Sequence, residues 1–342
     1  MSENEALSRR EMIVKSGAAL AAVTMARSIG ANQEKLILGS GSHRYEWVPD
    51  WLTPPSSLKY GDTHGLAQDS KGRIYVSHTV HSTSESSDGV CVFSEKGVFL
   101  NSWGPQFKGG SHGLDIRKEG KEEFIYHCDT NRRNFSKTTL DGKIVWEQGL
   151  PQEPGIYDEK HPFIPTNIAF SPNGDFFVAD GYGSSYIHKY DLGGNYKKTF
   201  GGPGSDAGQV QQPHGIWLDS RSKNPMLAVA DRANRRIQYF DLDGRSIGFA
   251  TEGMRLPCHF SIRGHEMLVP DLQSVVTILD EDNRVVVALG DGDPTNLRDH
   301  PRSDFVPGKF IHPHDAVFLR NGDILVAEWV PIGRVTLLRR VK

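Results

Sequence analysis

The chain has 342 residues, of which 37% are hydrophobic and 24% are charged, a composition that fits a soluble globular protein. Its formal net charge of -3 gives no reason to expect a nucleic acid or an anionic membrane surface as a partner. The 36 glycines and 19 prolines favour a fold with many tight turns. The three cysteines, Cys91, Cys128 and Cys258, form neither a disulfide framework nor a zinc-knuckle spacing, although a single bridge stays open.

The first segment in chain order is a predicted export signal. Residues 8–15 (SRREMIVK) resemble a twin-arginine motif, and an apolar run over 18–26 ends in small residues that suit cleavage. The alternative is a short terminal helix with two chance arginines. The run is too short to span a bilayer. We therefore assign residues 1–31 to a twin-arginine-type signal and predict a periplasmic or extracellular protein without a stable membrane span in its mature form.

Six segments of the remaining chain share one pattern, and their openings recur every 45 to 55 residues. Each has a polar opening, an alternating apolar run, a turn, a second apolar strand that usually ends at Asp or Glu, and a third strand. The openings are Thr63-His64-Gly65-Leu66, Ser111-His112-Gly113-Leu114, Thr166-Asn167-Ile168-Ala169, Pro213-His214-Gly215-Ile216, Cys258-His259-Phe260-Ser261 and Pro313-His314-Asp315-Ala316.

This repeat predicts an all-β fold, a six-bladed β-propeller over residues 32–342. Four short antiparallel strands per unit at this period are typical of a propeller blade, and Asn-Gly turns such as those in 171–175 and 320–323 suit hairpins. The last repeat reaches only a third strand at 334–338, whereas an unassigned apolar segment lies at 35–39. We expect the N-terminal strand to close the last blade as its outer strand.

The openings predict a ring of side chains around the central channel, because the first strand of each blade lines it. Five of the chain's 14 histidines occupy this one repeat position. Water in the channel could satisfy them, but five in register favour a metal site, since neutral imidazole is a common zinc ligand. In one set of alternate blades all three ring residues are histidines, whereas the other set includes Asn167. The all-histidine set is His112, His214 and His314.

Asp315 follows His314 directly and offers a carboxylate beside the ring. It could bind a hard cation such as calcium together with backbone carbonyls. The alternative is an aspartate that only ends a strand or turn.

Several segments resemble the peptidyl-α-hydroxyglycine α-amidating lyase family, whose members are NHL-type propellers. The matching stretches are 177–187 (FVADGYGSSYI), 208–215 (GQVQQPHG), 229–240 (VADRANRRIQYF) and 312–315 (HPHD), in the family's order and at similar spacing. His112-Gly113-Leu114 resembles the first zinc-ligand segment. The resemblance extends from about Leu66 to the C-terminus.

The resemblance implies a role for each matching residue. Zinc falls on the three histidines His112, His214 and His314, the set that the ring position also indicates. Calcium falls on the Asp315 carboxylate and on the backbone carbonyls of Leu66 and Leu114. The catalytic tyrosine falls on Tyr182 and an active-site arginine on Arg232.

The implied reaction is cleavage of the C–N bond of a peptide that ends in α-hydroxyglycine, giving an amide and glyoxylate. Zinc would act as Lewis acid, Tyr182 as general base with its pKa lowered by nearby cations, and Arg232 would hold the carboxylate. The first blade departs from the family pattern, because Val76-Ser77-His78-Thr79 lacks the second arginine, for which His78 or His81 could compensate.

Two other functions stay open at this stage. One is a non-catalytic propeller that binds a protein or a glycan, and the other is a calcium-dependent hydrolase or lactonase, which the histidine-rich ring disfavours. For the enzyme we expect a small-molecule or peptide substrate, no nucleic acid, and a monomer.

Overall fold

The computed structural model describes residues 35–292 and 297–341. The segment that carries the predicted export signal, 1–31, lies outside the described residues. From Ile37 onward the described residues form six antiparallel sheets of four or five strands, which confirms the six-bladed propeller. Their only helical elements are three short 3₁₀ turns, Pro105–Phe107, Arg232–Asn234 and Arg302–Asp304.

The first three blades follow the predicted repeat, with four strands each. Blade 1 contains β3 (Thr63–Gln68), β4 (Ile74–His78), β5 (Val90–Phe93) and β6 (Phe99–Trp103). Blade 2 contains β7 (Ser111–Glu119), β8 (Glu122–Asp129), β9 (Asn134–Thr139) and β10 (Ile144–Gln148). Blade 3 contains β11 (Asn167–Phe170), β12 (Phe176–Ala179), β13 (Tyr186–Tyr190) and β14 (Tyr196–Gly201).

The other three blades complete the ring. Blade 4 contains β15 (Pro213–Asp219), β16 (Met226–Asp231), β17 (Arg236–Phe240) and β18 (Ser246–Ala250); blade 5 contains β19 (Ser261–Arg263), β20 (Glu266–Asp271), β21 (Val275–Leu279) and β22 (Val285–Leu289); blade 6 contains β23 (Pro313–Phe318), β24 (Ile324–Glu328) and β25 (Arg334–Arg340), followed by β2 (His43–Val48) and β1 (Ile37–Ser40).

The closure of blade 6 differs in detail from the prediction. The N-terminal segment does close this blade, but the strand that pairs with β25 is β2, with Trp47 opposite Leu338. The segment expected to do so contributes β1, which pairs with β2 as a fifth, outermost strand. β2 takes this place because its alternation buries Tyr45 and Trp47 against blades 5 and 6 while the intervening residues stay more exposed.

Six of the apolar clusters among the described residues lie between two neighbouring blades each, and a smaller one of Phe305, Ile311 and Val330 lies beside blade 6. Blades 1 and 6 share the cluster that closes the ring, where Val76 and Phe93 pack with Leu325 and Leu337. Because each blade packs on both faces, its second strand has a continuous run of buried residues, and in β12 this run is apolar throughout.

The inner strands approach one another closely around the channel, and glycine makes this possible. A Cβ atom at Gly113 would lie 2.2 Å from the carbonyl oxygen of Thr166, and one at Gly215 would lie 2.2 Å from that of Cys258. The glycine that follows each histidine in the first, second and fourth openings therefore brings the histidines of different blades together. These inner strands begin at the face where the loops between second and third strands also lie.

Candidate metal centre and active site

Four ring histidines converge on the channel axis. The ring centroids of His64 and His314 are 4.4 Å apart, those of His214 and His314 are 4.6 Å apart, and those of His112 and His214 are 4.9 Å apart. All four side chains are buried. The structure therefore brings together the three predicted zinc ligands and adds His64, to which the sequence analysis gives no role.

The three histidines of alternate blades share one hydrogen-bond pattern, which fixes their tautomers. Each Nδ1 donates to a backbone carbonyl of the next blade, so each Nε2 is unprotonated and directs its lone pair into the channel. Such anchoring of the remote nitrogen is the usual support of a metal-binding histidine. The bonds join His112 to Thr166 at 2.8 Å, His214 to Cys258 at 2.8 Å and His314 to His64 at 3.2 Å.

His64 has a different environment. Its Nδ1 lies 3.2 Å from the Nε2 of His314, and since that nitrogen is unprotonated, His64 is the donor. Nitrogen atoms of His64, His112 and His314 lie within 4.8 Å of one another, so these three could also hold a metal ion. We favour His214 over His64 as the third ligand because only His214 shares the carbonyl anchor.

Burial keeps this cluster in the neutral form that binds metals. It lowers the pKa of His112 to about 3 and lowers the pKa values of His64, His214 and His314 well below their usual range. Neighbouring histidines and Arg232 act in the same direction. Four neutral imidazoles in so small a space fit a cation that accepts their lone pairs.

Tyr182 lies on the loop that follows β12, and its hydroxyl points into the histidine cluster. The hydroxyl oxygen is 3.0 Å from Nε2 of His214 and 3.3 Å from Nε2 of His112. Both nitrogens are acceptors, but a phenol has one hydrogen to donate. One of the two contacts therefore lacks a proton, which is the arrangement expected where a cation normally lies.

Arg232 follows β16 and stands beside the tyrosine. Its guanidinium carbon lies 5.2 Å from the centroid of the Tyr182 ring, and the side chain is buried. Burial raises the pKa of Tyr182, and Arg232 lowers it by a smaller amount. The prediction that nearby cations lower the phenol pKa is therefore not met by Arg232 alone, because the desolvation of the buried phenolate is the larger effect.

A buried carboxylate holds the tyrosine loop in place. Asp180, directly after β12, accepts hydrogen bonds from the backbone N–H of Ile164 at 2.7 Å and of Ser184 at 2.6 Å. The hydroxyl of Tyr157 donates to the same carboxylate at 3.1 Å. Asp180 thus ties the loop of Tyr182 to the long segment before blade 3, which explains why acidic residues end the second strands.

The predicted calcium ligands do not fit a hard cation in this structure. Asp315 accepts a hydrogen bond from the backbone N–H of Leu66 at 2.7 Å with one oxygen. Its other oxygen accepts from Nδ1 of His259 at 2.7 Å. Both carboxylate oxygens are therefore engaged, one by a backbone N–H group and the other by an imidazole ring. Calcium at this place stays a prediction.

His78, one of the two first-blade histidines that could replace an arginine, does not supply a positive charge. Burial lowers the pKa of His78 to about 3, and its Nδ1 accepts the backbone N–H of Val80 at 3.1 Å. His81 lies at the rim and contacts Thr83.

A second arginine does approach the cluster, from the long loop before β23. Arg298 pairs with Asp62 at 2.7 Å, stacks on Trp329 with its guanidinium carbon 3.8 Å from the ring centroid, and helps to lower the pKa of His64. The sequence gives no signal for Arg298, because this loop has no counterpart in the repeat.

No protein-family model matches the chain. It is 30% identical over 233 residues to peptidyl-glycine alpha-amidating monooxygenase B of Xenopus laevis, a match that covers 61% of this chain and 26% of that protein. It is 26% identical over 257 residues to the probable peptidyl-alpha-hydroxyglycine alpha-amidating lyase pgal-1 of Caenorhabditis elegans, covering 69% of each. The chain thus spans about a quarter of the Xenopus protein.

Two further similarities concern the repeat and the fold. NHL repeat-containing protein 3 of Homo sapiens is 27% identical over 191 residues, covering 54% of this chain and 53% of that protein. The solved structure of virginiamycin B lyase from Staphylococcus aureus superimposes with a TM-score of 0.52 at 14% identity, covering 87% of this chain and all of that one, which supports the fold alone. The chain is therefore a six-bladed β-propeller related in sequence to the peptidyl-α-hydroxyglycine α-amidating lyases and to NHL repeat proteins.

Proposed function

We propose that this protein is a metal-dependent carbon–nitrogen lyase that cleaves compounds ending in α-hydroxyglycine to an amide and glyoxylate. The observation that carries the proposal is the Tyr182 hydroxyl, which lies within 3.3 Å of the unprotonated Nε2 atoms of both His112 and His214. A general base and a set of metal ligands thus meet at one point. The relatives named as amidating lyases support the same reaction.

Zinc is the metal that we propose for His112, His214 and His314, and when bound it would supply a Lewis acid that acidifies the substrate hydroxyl. The three imidazoles are neutral, and their Nδ1 anchors orient their Nε2 atoms in advance. Three nitrogen ligands leave a fourth position for substrate, as in catalytic zinc sites.

The chain's own residues account for the proton transfers. Tyr182, as phenolate, removes the proton of the substrate hydroxyl, a C=O bond forms, and the C–N bond breaks. The proton then passes from Tyr182 to the departing amide nitrogen, so that atoms and charge balance. Arg232 lies beside the Tyr182 ring and would hold the substrate carboxylate in a planar fork of hydrogen bonds.

A groove on the same face offers room for the rest of a substrate. A cavity of about 600 Å³ lies between blades 1 and 6 and has mainly apolar walls. Its lining includes Leu52, Pro54, Leu58, Tyr60, Arg302 and Ile332. Such a groove suits the apolar side chains of a peptide.

The direct test uses α-hydroxyhippurate, a small acyl-α-hydroxyglycine, and measures the glyoxylate released by the full chain with and without added zinc. We expect zinc-dependent release and a loss of roughly 100-fold or more for Tyr182→Phe, because general base catalysis contributes about this much. Tyr186→Phe, a nearby tyrosine substitution outside the cluster, serves as control. Absence of metal-dependent release would refute the proposal.

The second candidate is a propeller that binds a protein or glycan without catalysis, which the match to NHL repeat-containing protein 3 favours. It predicts that Tyr182→Phe and Arg232→Ala leave binding of the partner unchanged. The two candidates therefore separate on these variants.

We also propose that the protein is exported as a folded monomer and that it does not bind nucleic acid. The twin-arginine-like segment supports export, and no helix of the described residues is long and apolar enough to cross a membrane. Mass determination of the protein secreted by its host would test this, because cleavage near residue 26 is expected. Light scattering would report the oligomeric state.

A further inference from the structure

A second polar cluster lies next to the metal-binding histidines and involves no residue of the proposed mechanism. It consists of Asp115, Asn167, His259 and Asp315, each of which is buried. Burying two carboxylates is costly unless a positive charge or hydrogen-bond donors compensate for them. The hydrogen-bond donors around the two carboxylates therefore show which group compensates their negative charge.

Hydrogen bonding fixes the orientation of the amide of Asn167. Its Oδ1 accepts the backbone N–H of Ile216 at 3.1 Å, and its Nδ2 donates to Oδ2 of Asp115 at 3.2 Å. If the amide were flipped, its Nδ2 would face the N–H donor of Ile216 and its Oδ1 would face the carboxylate acceptor of Asp115. The oxygen of Asn167 is therefore the atom that faces His259.

The surroundings of His259 then define its protonation. Nδ1 lies 2.7 Å from Oδ1 of Asp315, and Nε2 lies 3.1 Å from Oδ1 of Asn167. Both partners are acceptors, so both ring nitrogens donate, and the ring is an imidazolium. Oδ2 of Asp115 is a further 3.8 Å from Nε2. The indole of Trp217 packs edge-on against the ring, with the two ring centroids 5.5 Å apart, and the His259 side chain is buried.

The contacts leave no place for a second cation at Asp315. One oxygen accepts from His259, and the other accepts the backbone N–H of Leu66 at 2.7 Å. The ring positions together enclose only about 10 Å³ of free space along the axis. A divalent ion would have to displace the imidazole before it could reach the carboxylate.

We propose that the protonated side chain of His259 is the resident cation of this cluster, so that the propeller holds no calcium at Asp315. The imidazolium joins blade 5 to blades 3 and 6 by hydrogen bonds to Asn167 and Asp315, and Asn167 extends the network to Asp115 of blade 2, which is the structural role expected of a bound ion. This inference is independent of the lyase reaction, since none of the four residues acts in it.

The inference predicts an exchange of one cation for the other. Removal of the imidazole leaves the carboxylates of Asp115 and Asp315 and the amide oxygen of Asn167 around an empty space. Oxygen ligands of this kind are those that calcium prefers. His259→Ala should therefore acquire a calcium requirement that the natural chain lacks.

The experiment compares the thermal unfolding of the full-length, calcium-free protein, the His259→Ala variant and a His64→Ala control, each with and without about 1 mM calcium chloride. We expect no shift for the natural chain or the control. We expect His259→Ala to unfold at lower temperature without calcium and to recover by about 5 °C or more with it.

Three results would overturn the inference. The first is a calcium-induced rise in the unfolding temperature of the natural chain, and the second is about one calcium per chain by elemental analysis after purification in calcium. The third is a folded His259→Ala protein without any response to calcium. If that variant does not fold, the calcium content of the natural chain and the proton-coupled ¹⁵N signals of its His259 ring decide, because an imidazolium shows two N–H groups.

Discussion

At the scale of single residues, the candidate site depends on which nitrogen of each histidine carries the proton. The sequence predicts that the histidines share a level in the channel, but it does not predict their tautomers. The carbonyls of Thr166, Cys258 and His64 set these by accepting from Nδ1, and they leave Nε2 for a metal. His64 makes no such bond to a carbonyl through its own ring, although it lies equally close to the axis.

This difference yields a prediction about metal content. We expect the natural chain to contain one zinc, His214→Ala to lose it, and His64→Ala to retain it, because the ring of His64 lacks the carbonyl anchor that orients the other three histidines. Elemental analysis of the three purified proteins measures this. Zinc retained by His214→Ala and lost from His64→Ala would instead place the metal on His64, His112 and His314.

At the scale of elements, the opening glycines determine how closely the blades approach. Gly113 follows the metal-binding His112 at a point where the inner strands of blades 2 and 3 touch. The sequence shows the His-Gly pair but not its cause, since the neighbour of the glycine lies in another blade. The N-terminal hairpin is a similar case, because the sequence does not show whether β1 or β2 pairs with β25. β2 takes this position, where Tyr45 and Trp47 become buried between blades.

Gly113→Ala is therefore expected to destabilise the protein by roughly 1–3 kcal/mol, the usual cost of inserting an atom into a packed region. The new Cβ would meet the Thr166 carbonyl that anchors His112, so metal affinity should fall as well. Urea unfolding and metal titration measure the two effects. Gly248→Ala on β18, where a Cβ has open space, is the matched control; equal stability of the two variants would contradict this account.

At the scale of the whole molecule, the ring of blades buries more histidines than the metal site needs. Burial lowers the pKa values of His78, His127 and His188 to about 3. His127 lies 3.0 Å from the Ser111 hydroxyl, and His188 lies 2.8 Å from that of Thr199. These residues are neutral in the folded protein, whereas in the unfolded chain they titrate at about 6.5.

The protein should consequently be sensitive to acid. At these three histidines the folded state binds fewer protons than the unfolded state between about pH 6.5 and pH 3, so the contribution of each histidine is complete above pH 6.5 and is lost as the pH falls. Each buried histidine costs about 1.4 kcal/mol per pH unit below 6.5. Urea unfolding at pH 7, 6 and 5 measures the slope. His265→Gln, at an exposed position, should leave it unchanged; a flat profile for the natural chain would refute the prediction.

The sequence by itself determined the architecture. Repetition of one strand pattern six times specifies the blades, because four short strands cannot bury both their faces without neighbours. The same repetition places His64, His112, Asn167, His214, His259 and His314 at one level, and local motifs identify Tyr182 and Arg232.

Only the tertiary structure decided what each ring member does. His64 and His259 occupy equivalent repeat positions, yet one faces other imidazoles and the other faces Asp315 and Asn167. Arg298 reaches the site from a loop outside the repeat. The physical reason is that hydrogen-bond partners, desolvation and nearby charges come from neighbouring blades. These contacts join residues about 50 to 250 positions apart in sequence, and no local pattern encodes them.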